Sequence, residues 1–270
     1  MGSRRRRREG IAGGLTFASI VGSNAVFEHD PTKTAPAPTS QTLPSTIANP
    51  FSGTQAGYLL TFGATTGATT DDPTQRDYGT PDAYTEFDGG DSLQALATPA
   101  WVQKVQRTDQ VIGVTGVFAF RHIADGVANS LMGTSAATTE IGFRLHMTTA
   151  ERVQLSMRGD TASVATASGS GPLLANNQDY VIIWTWNGTT AVFYVNGVKY
   201  SLALAANTCV SDSTLILGVG CSRNGQGRVP ANTRVYYDAM AQGVVDDAQA
   251  AAILQMLRTT RNVAFTAVPG

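Results

Sequence analysis

Five glutamates, three histidines, three lysines and two cysteines in 270 residues leave this chain little of the material from which catalytic and metal sites are usually built. The glutamates stand apart at Glu9, Glu28, Glu86, Glu140 and Glu151, so no strand carries the closely spaced Glu-x-Asp-x-x-Glu set that double-displacement sugar hydrolysis needs. His29, His122 and His146 show neither His-x-His nor His-Glu-x-x-His spacing, which removes the support for zinc, and His122 and His146 read as strand residues. Gly169-Ser170-Gly171 lacks the strand-turn-helix elbow that exposes a nucleophilic serine, and no glycine-rich phosphate loop precedes a helix. The expectation is a non-enzyme. Cys209 and Cys221 bracket a predicted strand, Thr214–Val219, that spans roughly 20 Å when extended, whereas a disulfide needs Cα atoms about 5–6 Å apart; free thiols are expected. No apolar run is long enough to cross a membrane as a helix.

Charge is also sparse, at 14% of residues, and its distribution is uneven. Arg4, Arg5, Arg6, Arg7 and Arg8 form an unbroken basic run, against a net charge of −1 for the whole chain. Behind it come a mildly apolar stretch, Ile11–Phe27, and a Pro/Thr/Ala/Ser-rich stretch, Asp30–Asn49, whose composition favours extended chain. Residues 1–55 therefore read as an arm and linker, and residues 56–270 as the globular domain. Like-charge runs are often interaction tails. The arm is expected to grip a neighbouring copy or another subunit through carboxylates, with packaged nucleic acid as the alternative partner for the arginines. A secretory leader is a further reading, with Ile11–Val21 as its apolar region, but Gly13, Gly14, Thr16 and Ser19 dilute that run.

What the chain has in quantity is strand-and-turn sequence. Tyr180–Trp186, Ala191–Val195 and Val198–Leu204 are rich in β-branched and aromatic residues, split by Asn187-Gly188 and Asn196-Gly197. Asn-Gly accepts the positive φ angles of tight hairpin turns at low cost, so a three-stranded meander is predicted. Alternation in Ile141–Met147, Arg152–Met157 and Leu215–Val219 adds further strands. Near the end, Asp246 or Asp247 can cap a helix, with Gln249 placed as in a capping box and Ile253, Leu254 and Leu257 on one face, predicting a helix over about 248–258.

The central run, with Phe87-Asp88-Gly89-Gly90-Asp91-Ser92-Leu93 before it and Tyr236-Tyr237-Asp238-Ala239-Met240 after it, resembles the laminin-G-like and concanavalin A-like jelly rolls over roughly Asp82 to Arg258. That resemblance implies an all-β fold: a two-sheet antiparallel jelly-roll sandwich with a short C-terminal helix. The family spans lectins, adhesion modules, glycosidase accessory modules and virion proteins, so function does not follow from fold. It implies a candidate structural Ca²⁺ at Asp88 or Asp91 with Asp238, an ion wanting six to eight oxygens; the alternative is that the two early aspartates cap a turn. Trp184 and Trp186 share a strand parity and either stack on a sugar or fill the sandwich core beside Phe193 and Val195. Arg158-Gly159-Asp160 and the sequon Asn187-Gly188-Thr189 are explained by turns. Two functional classes result. One is a tailed-phage virion structural protein (head decoration, tail or fibre-associated), anchored by its arm and displaying a lectin-like domain. The other is an exported carbohydrate-binding module of a bacterial surface or glycan-degrading system. Beside virion subunits or copies of the chain itself, a host-surface glycan is a candidate partner.

Overall fold

The computed structural model describes residues 14–33, 42–44, 59–62, 72–95, 113–135, 140–158, 160, 163–165, 171–203 and 216–265. Among them the chain forms two helices of the α type, α1 (Phe17–Val21) and α2 (Asp247–Thr260), and two antiparallel sheets. The strands in chain order are β1 (Ala25–His29), β2 (Thr42–Pro44), β3 (Leu59–Phe62), β4 (Thr74–Arg76), β5 (Tyr84–Phe87), β6 (Leu93–Ala95), β7 (Val114–His122) and β8 (Asn129–Gly133). They continue with β9 (Gly142–Met147), β10 (Val153–Arg158), β11 (Ser163–Ala165), β12 (Gln178–Trp186), β13 (Thr190–Val195), β14 (Val198–Ala203), β15 (Gly218–Val219) and β16 (Thr233–Gln242). The first sheet runs β14-β13-β12-β7-β16-β5-β4, and the second β11-β10-β9-β8-β15-β6-β3-β2. This is the jelly-roll sandwich that the sequence resemblance implies.

The meander forms as its turns dictate. Asn196 and Gly197 both take positive φ, +48° and +95°, which closes the two-residue hairpin between β13 and β14. Asn187 closes the earlier turn with its own side chain, whose Oδ1 accepts from the Thr189 and Thr190 N–H groups. Between the sheets, Phe87, Phe118, Phe120, Phe143, Trp184, Trp186 and Phe193 are fully buried. Trp184 faces Gly116 across the β12–β7 ladder, and a Cβ on Gly116 would lie 2.3 Å from the indole. A glycine in mid-strand makes the space that this ring fills.

The first sheet also buries its outer face. Helix α2 begins at the expected place: Asp246 Oδ1 accepts from Gln249 N–H and Gln249 Oε1 accepts from Asp246 N–H. Its buried Ile253, Leu254, Met256 and Leu257 pack over Val117, Ala119, Val181 and Ile183. Each such side chain contributes about 1.5–3 kcal/mol.

Two expectations are corrected here. Residues 1–55 do not form one separate arm and linker, because residues 16–33 belong to the domain. Phe17 and Val21 of α1 join the layer under α2, and β1 pairs with the upper half of β16, where Phe27 opposes Met240 and His29 opposes Asp238. The polar triplet Glu28-His29-Asp30 is buried and satisfied by residues more than 200 positions away. Tyr237 O–H donates to Glu28 Oε1 at 2.7 Å, His29 Nδ1 meets Asp238 Oδ2 at 2.8 Å, and the Arg261 guanidinium donates to Asp30 Oδ1 at 2.7 Å. Burial alone would raise the Asp30 pKa; the Arg261 charge, the Thr32 hydroxyl and Lys33 override it and hold the group below its ordinary value. Within the expected linker, Thr42–Pro44 pairs with β3 at the rim of the second sheet. The Arg4–Arg8 run lies outside the described residues. The second correction is shorter: the strand expected over 214–219 is Gly218–Val219 among the described residues.

Candidate functional site: the open face of the second sheet

The outer face of the second sheet carries no α-helix among the described residues; a single 3-10 turn, Arg223–Gly225, packs against β6 and β15. Along β10 burial alternates strictly: Val153, Leu155 and Met157 turn inward, while Gln154, Ser156 and Arg158 turn outward. Register then places outward residues in rows. Ser130, His146 and Gln154 align across β8, β9 and β10; Gly133, Arg144 and Ser156 align in the next row, with Gly142 and Arg158 beyond. Rows of hydrogen-bonding groups, with glycine at one step, form a shallow polar floor.

A loop over Cys221–Pro230 walls one side of this floor. It lies against the sheet because its glycines turn with positive φ, Gly225 at +68° and Gly227 at +58°. Gly227 O accepts from Ser130 N–H at 2.6 Å, and a Cβ on Gly225 would touch Gln94 Nε2 at 3.0 Å. Arg223 at its edge grips Glu140 with two guanidinium nitrogens. Cys221 beneath the loop is a free, fully buried thiol, and burial pushes its pKa up to about 12. That thiol is inert packing.

His146 sits at the centre of the floor, 6% exposed. Burial first, and the neighbouring Arg144 charge second, push its pKa down to about 4. The ring is therefore neutral at physiological pH and carries one proton. The shorter of its two contacts, Nε2 to Gln154 Oε1 at 3.0 Å against Nδ1 to Arg144 O at 3.3 Å, selects the Nε2–H form. Gln154 thus has its carbonyl held by the ring. Half-burial also lowers the Arg144 pKa, although the guanidinium stays charged at any physiological pH. The floor is an array of donors and small hydroxyls.

The residues singled out from sequence lie elsewhere. Trp184 and Trp186 are 0% and 1% exposed between the sheets, and Phe143 packs on Trp184 at 5.2 Å. No ring face is open to a sugar, so the stacking role is withdrawn in favour of the core. The calcium set does not assemble. Asp88 and Asp91 close the turn after β5, where Asp91 Oδ2 accepts from Asp88 N–H and Asp88 Oδ1 from Gly90 N–H. Asp238 lies five residues along β16 from Thr233, the partner of Phe87, hence about 16 Å away, and it is committed to His29. Asp91 Oδ1 is buried without a hydrogen-bond partner among the described residues, but burial and the Asp88 carboxyl raise the Asp91 pKa to about 6. Two turn carboxylates competing for a proton fall well short of a calcium shell, and no group of three His, Cys, Asp or Glu suited to a metal occurs among the described residues. His122 is buried at the sandwich rim, 3.1 Å from Glu151.

Reasoning from sequence missed Ser130, Arg144, His146 and Gln154. Polar residues alternating with apolar ones mark any half-covered strand, and only register across three strands gathers these into one patch.

No family model and no curated protein matches the sequence. Solved structures match its shape. Botulinum neurotoxin type C, whose passage into cells depends upon interaction with two ganglioside molecules, superposes with a TM-score of 0.59 at 9% identity, covering 89% of this chain and 53% of that one. The binding domain of botulinum neurotoxin serotype D gives 0.55 at 9% identity, with 89% and 52% covered. Trypanosoma rangeli sialidase, in complex with 2,3-difluorosialic acid as a covalent intermediate, gives 0.52 at 11% identity, with 89% and 34% covered. The chain spans about half the length of the neurotoxin structures and a third of the sialidase. At these identities the likeness shows a shared jelly-roll fold.

Proposed function

We propose that the chain is a non-catalytic carbohydrate-binding module that meets glycan on the open face of β8, β9 and β10. The observation that carries this reading is the pair of aligned rows, Ser130–His146–Gln154 and Gly133–Arg144–Ser156, of which Arg144, Gln154 and Ser156 stay half-exposed beside the Cys221–Pro230 wall. Its donors suit hydroxyl and carboxylate oxygens. The absence of a closely spaced Glu-x-Asp-x-x-Glu strand from the sequence supports binding without turnover. Neighbours of the same shape include a ganglioside-dependent toxin, which supports a host-surface glycan as the ligand and the extracellular space or a surface as the place of action. Purified protein on a glycan array is expected to retain a subset of glycans, with Arg144→Ala and Gln154→Ala each weakening binding about tenfold. Retention unchanged by both substitutions would overturn the site, and hydrolysis of a retained glycan would overturn the non-catalytic reading.

The Arg4–Arg8 run favours a second reading, in which the same module is displayed by a virion structural subunit. Since residues 16–33 are part of the domain, anchoring to neighbouring subunits falls to the residues before them. Deletion of residues 2–13 is expected to leave a folded domain that no longer joins the particle; normal assembly of that variant removes the reading.

A further inference from the structure

On the opposite side of the sandwich, helix α2 and the β13–β14 hairpin leave two adjoining recesses of about 490 and 530 Å³. Between them stands a bridge. Tyr194 O–H donates to Asp247 Oδ1 at 2.7 Å, and Lys199 Nζ donates to the same oxygen at 2.6 Å. The Lys199 ammonium also lies 5.7 Å from the Tyr194 ring centroid. Both of these bonds fall on Oδ1, no hydrogen bond to Asp247 Oδ2 occurs among the described residues, and the side chain is 70% exposed. The first recess has an apolar floor of Ala250, Ala251 and Leu254, and its rim carries Gln255 and Arg258. The hairpin comes this close because Gly197, at φ +95°, has no Cβ; one built there would sit 3.1 Å from Leu254 Cδ2.

We infer that these recesses form a second, independent binding site for a neutral saccharide unit. Cavities of a few hundred Å³ with an apolar floor and a few fixed polar groups are the usual form of small-ligand sites. The charges cancel: Asp246 and Asp247 against Lys199 and Arg258, two of each sign around the two recesses. With no net field, a charged ligand gains nothing by entering. A pyranose presents an apolar C–H face and a ring of hydroxyls that both donate and accept. The Ala250–Ala251–Leu254 floor meets the first; Asp247 Oδ2 as acceptor, Arg258 as donor and Gln255 as both meet the second. A purely apolar ligand would leave these polar groups without water or partner. This site shares no residue with the open face of the second sheet, so either stands if the other fails.

The test is two-dimensional ¹H–¹⁵N NMR of the full chain, titrated with methyl glycosides of glucose, galactose and mannose, with N-acetylglucosamine, and with sodium sulfate. Saturable shifts of the Gly197, Ala251 and Gln255 amides are expected with at least one neutral sugar and not with sulfate. Gln255→Ala should weaken that titration about 2–10-fold, the worth of one hydrogen bond. Ala251→Trp, on an exposed helix position, should fill the recess and abolish it while the open-face amides of Arg144 and Gln154 respond as before. Silence of the hairpin–helix amides toward all four sugars overturns the inference. So does a response to sulfate alone, or binding that survives Ala251→Trp.

Discussion

Strand β7 buries eight of its nine residues, whereas β10 buries three of six in strict alternation, and the two patterns tell apart the two sheets they belong to. β7 lies under α2 on one side and against the second sheet on the other, so Val114-Thr-Gly-Val-Phe-Ala-Phe120 runs almost continuously apolar. β10 has the core on one side, and on the other its alternate residues Gln154, Ser156 and Arg158 are only half-buried. The first sheet is thus held from both faces, while the second leaves alternate residues of β10 half-exposed on its outer face. Loss of covering should therefore be costly on one sheet and nearly silent on the other.

The sharpest test replaces one residue on each outer face by aspartate. Leu254→Asp puts a carboxylate into the layer between α2 and the first sheet, where the side chain is 5% exposed, and should cost about 4 kcal/mol. Ser156→Asp, outward on β10, should stay within about 0.5 kcal/mol. Urea unfolding of the two variants checks both. Equal costs would mean that the second sheet is also covered, and the open-face site would then be lost.

Next in size is the clasp that ties β1 to the end of α2. Arg261 has 0% side-chain exposure, pairs with Asp30 and donates from Nε to Tyr236 O. Arg261→Met takes the guanidinium from the buried Asp30 carboxylate and should cost about 3 kcal/mol, because a buried charge that loses its opposite charge is far costlier than no pair. Adding Asp30→Leu should recover much of that loss. A double variant no more stable than Arg261→Met would show that the arginine acts by packing on Tyr237, 5.4 Å away, and not by its charge.

These elements differ in how far the sequence discloses them. The Asn196-Gly197 turn and the Asp246–Gln249 cap are local devices, readable because cause and effect lie within four residues. The N-terminal docking is not local. Glu28, His29 and Asp30 look like surface charges until Tyr237, Asp238 and Arg261 arrive from the other end of the chain. A β-bulge between Ala25 and Phe27 further hides the pattern, since it sends Ala25 toward α2 but both Val26 and Phe27 into the inter-sheet core. The tryptophans were legible as a pair sharing one face, but parity alone does not say which face is wet. Gly116, opposite Trp184, settles that.

The smallest predicted effect sets His146 of the open face against Asp91 at the β5–β6 turn, because burial shifts their pKa values in opposite directions. His146 is held at about 4 in the folded protein against an ordinary 6.5. The unfolded chain therefore takes up a proton first, and the stability owed to the neutral ring is present above about pH 6.5 and lost as pH falls toward 4. Asp91 is raised to about 6 from an ordinary 3.8. Its folded form holds the proton longer, so its contribution is present below about pH 4 and lost as pH rises through 6. Between these limits the two slopes oppose each other. His146→Gln, measured as a difference from the parent chain, should remove a loss of about 1–3 kcal/mol on acidification, and Asp91→Asn a loss of about 1–2 kcal/mol on neutralisation. Urea midpoints taken at steps from about pH 4 to about pH 7 resolve the signs. Differences that are flat with pH would place both groups in water, and for His146 that would dissolve the neutral Nε2–H contact on which the orientation of Gln154 rests.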